Sequence, residues 1–283
     1  ACIGATLDTM PELPEVETVR RGLALELANR KIISIERSKF DLRRPIPVNL
    51  NVQLVGQYIV NFARRGKYLL LRLDNFQTLL IHLGMSGRMI IHKKDYPNVS
   101  QHDHLQINFE DGFRLVYTDP RRFGVIDLID TSSEENHPSI ALMGPEPLSE
   151  DFNGNNLEFL LQDRQINIKA ALLDQRILAG IGNIYACEAL FYAGISPKRL
   201  AKNVKGKRAE ILSEAIVSVL ERAIDAGGSS LRDYANTSGE LGYFQHNFAV
   251  YGREGELCHR CGRKIIRIIQ NGRSTFYCSW DQR

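Results

Sequence analysis

The stretch Leu105-Gln-Ile-Asn-Phe-Glu-Asp-Gly-Phe-Arg-Leu-Val-Tyr-Thr118 decides the fold class of the N-terminal half. Leu105, Ile107 and Phe109 alternate with Gln106 and Asn108, the period of a strand with one buried face, and Asp111-Gly112 is a turn leading into a second strand. Working outward, similar β-rich runs recur at Ile32 to Ile35, Gln57 to Phe62, Tyr68 to Leu73, Thr78 to Leu83, Arg88 to His92 and Val125 to Ile129. Many short strands separated by turns predict an antiparallel β-sandwich. A helix precedes them, because Val16, Val19, Leu23 and Leu27 recur at helical spacing. Pro14 suits its first turn, and Glu15 and Glu17 suit the positive end of its dipole.

Beyond Gly144-Pro-Glu-Pro-Leu148 the character changes. Helical segments are expected at Leu157 to Leu161, Ile166 to Leu173, Ile184 to Tyr192 and Lys207 to Ala226, the last ending at Gly227-Gly228. Short strands return between Gly255 and Arg283. The fold class is therefore α+β in two domains, an N-terminal antiparallel β-sandwich with flanking helices and a C-terminal helical domain ending in a hairpin.

The 283 residues are 43% hydrophobic and 24% charged, which fits a globular chain of one large or two medium domains and excludes collagen-like, mucin-like and disordered classes. No run of about 18 apolar residues is present, and Ala1 to Met10 lacks the basic start and apolar core of a signal peptide, so a soluble intracellular protein is expected. The net charge of +3 is uneven. Residues 1–193 carry 21 Lys and Arg against 24 Asp and Glu, and residues 194–283 carry 15 against 9. A basic C-terminal third suits a polyanion partner, although on charge alone a well-solvated surface is the plainer reading.

Two constellations carry chemistry. Cys258-x2-Cys261-x16-Cys278-x2-Asp281 sets two knuckles across a hairpin, a spacing that suits tetrahedral zinc with aspartate in an unusual fourth place. Arg260, Arg263, Lys264, Arg267 and Arg273 on the same short hairpin suit phosphate contact. In Asp174-Gln-Arg-Ile-Leu-Ala-Gly-Ile-Gly-Asn183, the glycines permit a tight turn and Asn183 is placed to cap the next helix, whose first N–H groups could cradle a phosphate. A lone Gly-x-Gly is more often a plain helix connection. Cys187 reads as a small core residue.

Met10-Pro-Glu-Leu-Pro-Glu-Val-Glu-Thr-Val-Arg-Arg-Gly22, His82-Leu-Gly-Met-Ser-Gly87, Thr118-Asp-Pro-Arg-Arg-Phe-Gly124, Ala179-Gly-Ile-Gly-Asn-Ile-Tyr-Ala186 and the terminal cysteine hairpin together resemble bacterial formamidopyrimidine-DNA glycosylase, in order from Pro11 to Arg283. The resemblance implies a helix-two-turn-helix domain with a zinc-finger-type hairpin and one structural Zn2+ on Cys258, Cys261 and Cys278, with Asp281 standing where the family supplies a fourth cysteine. It implies a base-excision-repair enzyme, a bifunctional DNA glycosylase and abasic-site lyase that removes 8-oxoguanine and formamidopyrimidines and then cleaves the strand by β,δ-elimination. Its partner is double-stranded DNA with an oxidised purine, bound across a basic cleft between the domains, and no membrane. The enzyme is expected to be a cytoplasmic, nucleoid-associated monomer.

By the same resemblance Pro11 is the nucleophile, its α-amino nitrogen forming an iminium with the sugar. An α-amino group has a pKa of about 8 against about 10.4 for lysine, so more of it is neutral near pH 7. Glu12 is the general acid/base beside it, and Glu15 an accessory carboxylate. Lys67 contacts the phosphates of the damaged nucleotide and donates a proton in β-elimination, and Arg273 stabilises the departing phosphate in δ-elimination. Met85, Arg121 and Phe123 fill the hole left by the extruded nucleotide, Phe123 wedging between bases and Arg121 reaching the orphaned cytosine. His102, Arg164 and Asn183 bind the DNA backbone. Base selectivity is expected in the loop Ser229 to Tyr243.

The implied domains are 1–10, an extension absent from the native enzyme; 11–144, the catalytic sandwich; 145–245, the helical domain with the lesion-binding loop; and 246–283, the DNA-binding hairpin. While Met10 is joined to Pro11, the nitrogen is an amide whose lone pair is delocalised and cannot form the iminium. The sequence thus leaves two rival readings: a catalytically silent damage-binding protein with Pro11 blocked by residues 1–10, and an oxidised-pyrimidine glycosylase of the endonuclease VIII type.

Overall fold

The computed structural model describes residues 10–93, 99–228 and 247–283. The chain divides into two compact units, one comprising Met10–Ala141 and Ala226–Tyr243, the other Leu142–Asp225 and Phe244–Arg283. The loop Ser229 to Tyr243, expected to hold the base selectivity, lies outside the described residues.

In the first unit, α1 (Leu13–Leu27) is followed by β1 (Ile32–Arg37), α2 (Leu50–Leu54), β2 (Ile59–Arg65), β3 (Tyr68–Leu73), β4 (Gln77–His82), β5 (Arg88–Lys93), β6 (Asp103–Phe109), β7 (Phe113–Thr118) and β8 (Val125–Asp130). They form two four-stranded antiparallel sheets, ordered β1-β6-β7-β5 and β2-β3-β4-β8. The hairpin read from the sequence is β6–β7, with Ile107 opposite Leu115 and Leu105 opposite Tyr117. Leu105, Ile107 and Phe109 are buried in one core cluster with Leu69, Leu71, Leu79 and Ile81 of the other sheet. Val16, Val19, Leu23 and Leu27 of α1 are fully buried in that cluster, as their spacing requires, and Pro14 stands at the start of the helix. The helix α2 was not expected. Its five residues bury only Leu50 and Leu54, too few to set a period.

The second unit holds α3 (Gly154–Leu161), α4 (Ile168–Leu173), α5 (Asn183–Tyr192) and α6 (Lys207–Asp225), then the hairpin β9 (Ile266–Gln270) and β10 (Arg273–Tyr277). The hairpin turns on Asn271 (φ 50°) and Gly272 (φ 74°) alone. Two central residues with positive φ match the right-handed twist of the strands, and Asn-Gly is the pair that adopts this turn most readily. The turn leaves Arg273 exposed as the first residue of β10. Helix α5 is buried nearly all round, Cys187 included. Among the described residues no helix is long and apolar enough to cross a membrane.

Candidate functional site

In the first unit, four segments carry the residues singled out from the sequence. The first is the start of α1, where Pro11 is buried and Glu12 is the N-cap residue. Glu12 and Glu15 form a reciprocal capping box, the Glu15 carboxylate accepting from the Glu12 backbone N–H at 2.9 Å. Both carboxylates are buried, with exposures of 3% and 2%. The helix start therefore fixes Glu12 beside Pro11. Glycine is favoured at position 228 by its left-handed backbone (φ +82°), and a Cβ there would only touch the Glu15 side chain at an ordinary 3.4 Å.

The second segment is the β2–β3 turn with Lys67, buried at 6% exposure. Glu17 ties this turn to α1: its carboxylate accepts from Arg20 and Arg21 on the helix and from Arg64 at the end of β2. Burial alone would raise the Glu17 carboxyl, and the three guanidinium groups hold it below its ordinary range instead. Arg64 also donates to the Gly66 carbonyl at 2.9 Å, which closes the turn immediately before Lys67.

The third and fourth segments are the loops after β4 and after β7, the sequence motifs His82 to Gly87 and Thr118 to Gly124. They are packed so closely that side chains are excluded between them. A Cβ on Gly84 (φ +64°) would lie 2.5 Å from the Gly124 backbone nitrogen, and one on Gly124 would overlap the Tyr117 hydroxyl. Asp119, fully buried, fastens the two loops: its carboxylate accepts from Ser86 Oγ at 2.6 Å, Gly124 N at 2.8 Å and Tyr117 OH at 3.2 Å. Burial and the Asp119 charge push the Tyr117 phenol far up, so it stays a donor. Ser86 Oγ accepts in turn from the Arg121 backbone N–H at 3.1 Å. His102 contributes through its main chain, its carbonyl accepting from Asp119 N at 2.9 Å.

Met85, Arg121 and Phe123 are thereby brought together on one pocket of about 700 Å3, with the Arg121 guanidinium 5.4 Å from the centre of the exposed Phe123 ring. Met10, Arg43 and His82 line the same pocket. Sequence reading missed His82 as a site residue, although it opens a motif. Its ring lies 4.7 Å from that of Tyr68, its cross-strand partner, and its Nδ1 accepts from Gly84 N at 2.9 Å. Burial first, then the charges of Lys67 and Arg43, lower its pKa to about 4, so it is neutral near pH 7.

In the second unit, Asn183, Lys169 and β10 converge. Asn183 was expected to cap α5, but Gly182 holds that position and Asn183 is the first helical residue. Its amide instead donates to the Ser274 carbonyl at 2.9 Å, next to Arg273. Lys169, 1% exposed, donates to the same carbonyl at 3.0 Å and to Thr275 Oγ1 at 2.7 Å. It is a second residue that sequence reading missed. Arg164 is exposed at the end of α3 and does not join this group, its guanidinium reaching the Leu160 carbonyl at 3.5 Å. Glu188, wholly buried on α5, accepts from the backbone N–H groups of Ala249, Val250 and Tyr251 at 2.8, 3.0 and 2.9 Å and so fixes the chain that leads into the hairpin.

One atom each from Cys258, Cys261, Cys278 and Asp281 all lie within 4.8 Å of one another. Zinc bonds of about 2.3 Å to sulfur and 2.0 Å to oxygen demand ligand atoms about 3.5–4 Å apart, so the cluster fits zinc. Cys258 Sγ donates to Asp281 Oδ2 at 3.0 Å, and such thiol hydrogen bonds hold the Asp281 carboxyl below its ordinary range, charged and ready to ligate. When bound, zinc cross-links the two knuckles as a structural ion.

These sites occur on a chain with close relatives. The formamidopyrimidine-DNA glycosylase N-terminal domain pattern matches residues 10–126, the H2TH domain of the same proteins residues 143–235, and the zinc finger found in FPG and IleRS residues 255–282. The formamidopyrimidine-DNA glycosylase of Cereibacter sphaeroides is 50% identical over 283 residues, which cover 97% of this chain and 100% of that protein. That of Ruegeria pomeroyi is 49% identical with the same coverage. The structure superposes on that of Lactococcus lactis Fpg in complex with DNA containing N7-benzyl-Fapy-dG, at TM-score 0.88 and 37% identity, covering 96% of this chain and 99% of that one. The complex of the L. lactis protein with abasic-site DNA matches equally well. The chain belongs to the formamidopyrimidine-DNA glycosylase family.

Proposed function

We propose that this chain is a base-excision DNA glycosylase that removes oxidised purines and then cleaves the abasic strand. The observation that carries the reading is the pocket in which Met85, Arg121 and Phe123 meet His82 and Met10, because it sets void-filling side chains beside the residue that precedes Pro11. Extruding a base leaves a gap that must be filled and an orphaned partner that must be read, and a sulfur side chain, a guanidinium and an exposed phenyl ring supply both. Relatives of known structure support it, since L. lactis Fpg is held with DNA containing N7-benzyl-Fapy-dG and with abasic-site DNA.

In this reading the Pro11 nitrogen, freed of Met10, attacks the anomeric carbon and the base departs. Glu12, held by the capping box, protonates the sugar oxygen as the ring opens. The resulting iminium acidifies the neighbouring sugar C–H, and β-elimination followed by δ-elimination breaks the strand on each side. Lys67 donates the proton of the first elimination. Arg273 neutralises the phosphate leaving in the second, and Asn183 and Arg164 hold the backbone with His102. The enzyme works as a monomer on the nucleoid in the cytoplasm.

Borohydride trapping on a duplex with 8-oxoguanine opposite cytosine, followed by intact mass, tests all of this together. A cross-link whose protein mass begins at Pro11 is expected. Cross-linking only to duplexes with oxidised pyrimidines would instead make it an endonuclease VIII type enzyme. No cross-link, from a protein weighing as Ala1 to Arg283, would make it a silent binder.

A further inference from the structure

Helix α5 meets the hairpin at both of its ends. At its start Asn183 and Lys169 hold the Ser274 carbonyl. At its other end the carbonyls of the last turn, and of Ile195 just beyond it, accept hydrogen bonds from the two metal knuckles. Arg260, between Cys258 and Cys261, donates to the Phe191 and Tyr192 carbonyls at 2.9 and 3.3 Å, with its guanidinium 4.4 Å from the centre of the Phe191 ring. Gln282, next to Asp281 and only 3% exposed, uses both ends of its amide. Its Oε1 accepts from Cys278 N at 2.9 Å, closing the second knuckle on itself, and its Nε2 donates to the Ile195 carbonyl at 3.0 Å. The backbone of Arg283 continues the attachment, exchanging hydrogen bonds with Gly194 and Ser196 at 3.0 and 3.2 Å. None of these contacts uses a metal ligand side chain.

We propose that Gln282 is a positioning residue which, with Arg260, clamps both knuckles to the C-terminal end of α5, so that β10 and Arg273 keep their place with the metal site empty. The clamp is why an oxygen ligand suffices at Asp281. A finger whose fold depends on its metal needs the tightest ligand set, whereas a hairpin already attached at four points asks the ion only to cross-link it. The statement about Asp281 rests on the zinc reading of the cluster; the clamp does not.

The test compares the full-length chain with Gln282→Met, which keeps the side-chain volume and removes both amide bonds, and with Gln282→Met/Asp281→Cys. Each is read zinc-loaded and after chelation, by amide hydrogen exchange over residues 266–278 and by the cobalt-thiolate absorption of the cobalt-substituted protein. Emission from Trp280, the single tryptophan, which lies between Cys278 and Asp281, reports occupancy. The chelated wild type is expected to exchange within about threefold of the loaded form. Chelated Gln282→Met should exchange about 30-fold faster, the loss expected for two buried hydrogen bonds, with Cys278 N–H affected most. Adding Asp281→Cys should restore slow exchange in the loaded form alone, with a stronger cobalt-thiolate band. Equal exchange in chelated wild type and chelated Gln282→Met overturns the clamp, whether both are fast or both are slow. A wild type that takes up neither zinc nor cobalt while its hairpin stays protected overturns the account of Asp281 and supports the clamp. No DNA enters the measurement, so the result is separable from the glycosylase reading.

Discussion

Replacing Asp119 with alanine removes the acceptor that fastens the two pocket loops together. Three donors point at that carboxylate, from Ser86, Gly124 and Tyr117. The Ser86 and Tyr117 hydroxyls can rotate toward other partners, so each loses about 1 kcal/mol, the ordinary net worth of a hydrogen bond. Gly124 N–H is a fixed backbone donor in a buried position and has nowhere to turn, which costs about 2 kcal/mol. Asp119→Ala should therefore destabilise the sandwich unit by about 4 kcal/mol, and Asp119→Asn, which keeps one acceptor oxygen, by about half that. Urea unfolding followed by circular dichroism gives the stability change. The functional consequence is separate and is measured in the stably folded Asp119→Asn. With the 121–123 loop unfastened, Arg121 and Phe123 no longer share one pocket with Met85, so on their proposed roles discrimination between cytosine and other bases opposite the lesion should fall at least tenfold. A loss of under 1 kcal/mol in Asp119→Ala, with discrimination intact in Asp119→Asn, would refute the idea that this carboxylate organises the site.

Gly84→Ala places a methyl group 2.5 Å from the Gly124 nitrogen on a residue with φ +64°, so overpacking and strain together should cost about 3 kcal/mol and weaken duplex binding in a gel-shift titration. His82 has its pKa lowered from 6.5 to about 4 by burial, so its contribution to stability is complete above pH 6.5 and is lost as the pH falls toward 4, where the unfolded chain binds a proton the folded one refuses. The wild type should lose about 3 kcal/mol more than His82→Gln between pH 7 and pH 4 in paired urea titrations, and parallel losses would contradict a buried neutral imidazole. Lys169→Met removes one of the two side-chain donors to the Ser274 carbonyl and the buried donor to the Thr275 hydroxyl. On the proposed role of Arg273, which immediately precedes the loosened residue, gel analysis of abasic strand cleavage should then show β-elimination product accumulating over δ-product.

Much of the architecture was legible in the sequence because an apolar row facing the core writes itself as alternation, even in β6, where Gln106 and Asn108 on the other face are buried as well. Leu105, Ile107 and Phe109 announce β6, and Val16, Val19, Leu23 and Leu27 announce α1, each without knowledge of what they pack against. The residues that hold the site together were not legible for the opposite reason. Glu17, Asp119, Lys169, Glu188 and Gln282 are polar, and polar residues are ordinarily exposed. Their burial is decided by partners far along the chain, such as Thr275 for Lys169, 106 residues away, and Arg64 for Glu17, 47 residues away. Periodicity does not report such pairings. Asn183 shows a finer failure of the same kind, since a residue with good capping chemistry at a helix start was drawn off by the Ser274 carbonyl.

The pocket motifs make the physical point most directly. Along the chain, His82 to Gly87 and Thr118 to Gly124 are two turns whose conspicuous side chains are Met85, Arg121 and Phe123. In space they are one object, and the residues that make them one have no reactive groups. Gly84 and Gly124 bring two backbones to a separation that no Cβ tolerates, Gly87 leaves room for the Tyr117 hydroxyl, and Asp119 supplies the acceptors that such close backbones need. In the proposed role, a side chain that enters a DNA helix must be exposed, and an exposed side chain has little packing of its own to aim it. Its precision has to come from the backbone beneath it, which explains why the most exposed residues of this site rest on its most tightly packed loops.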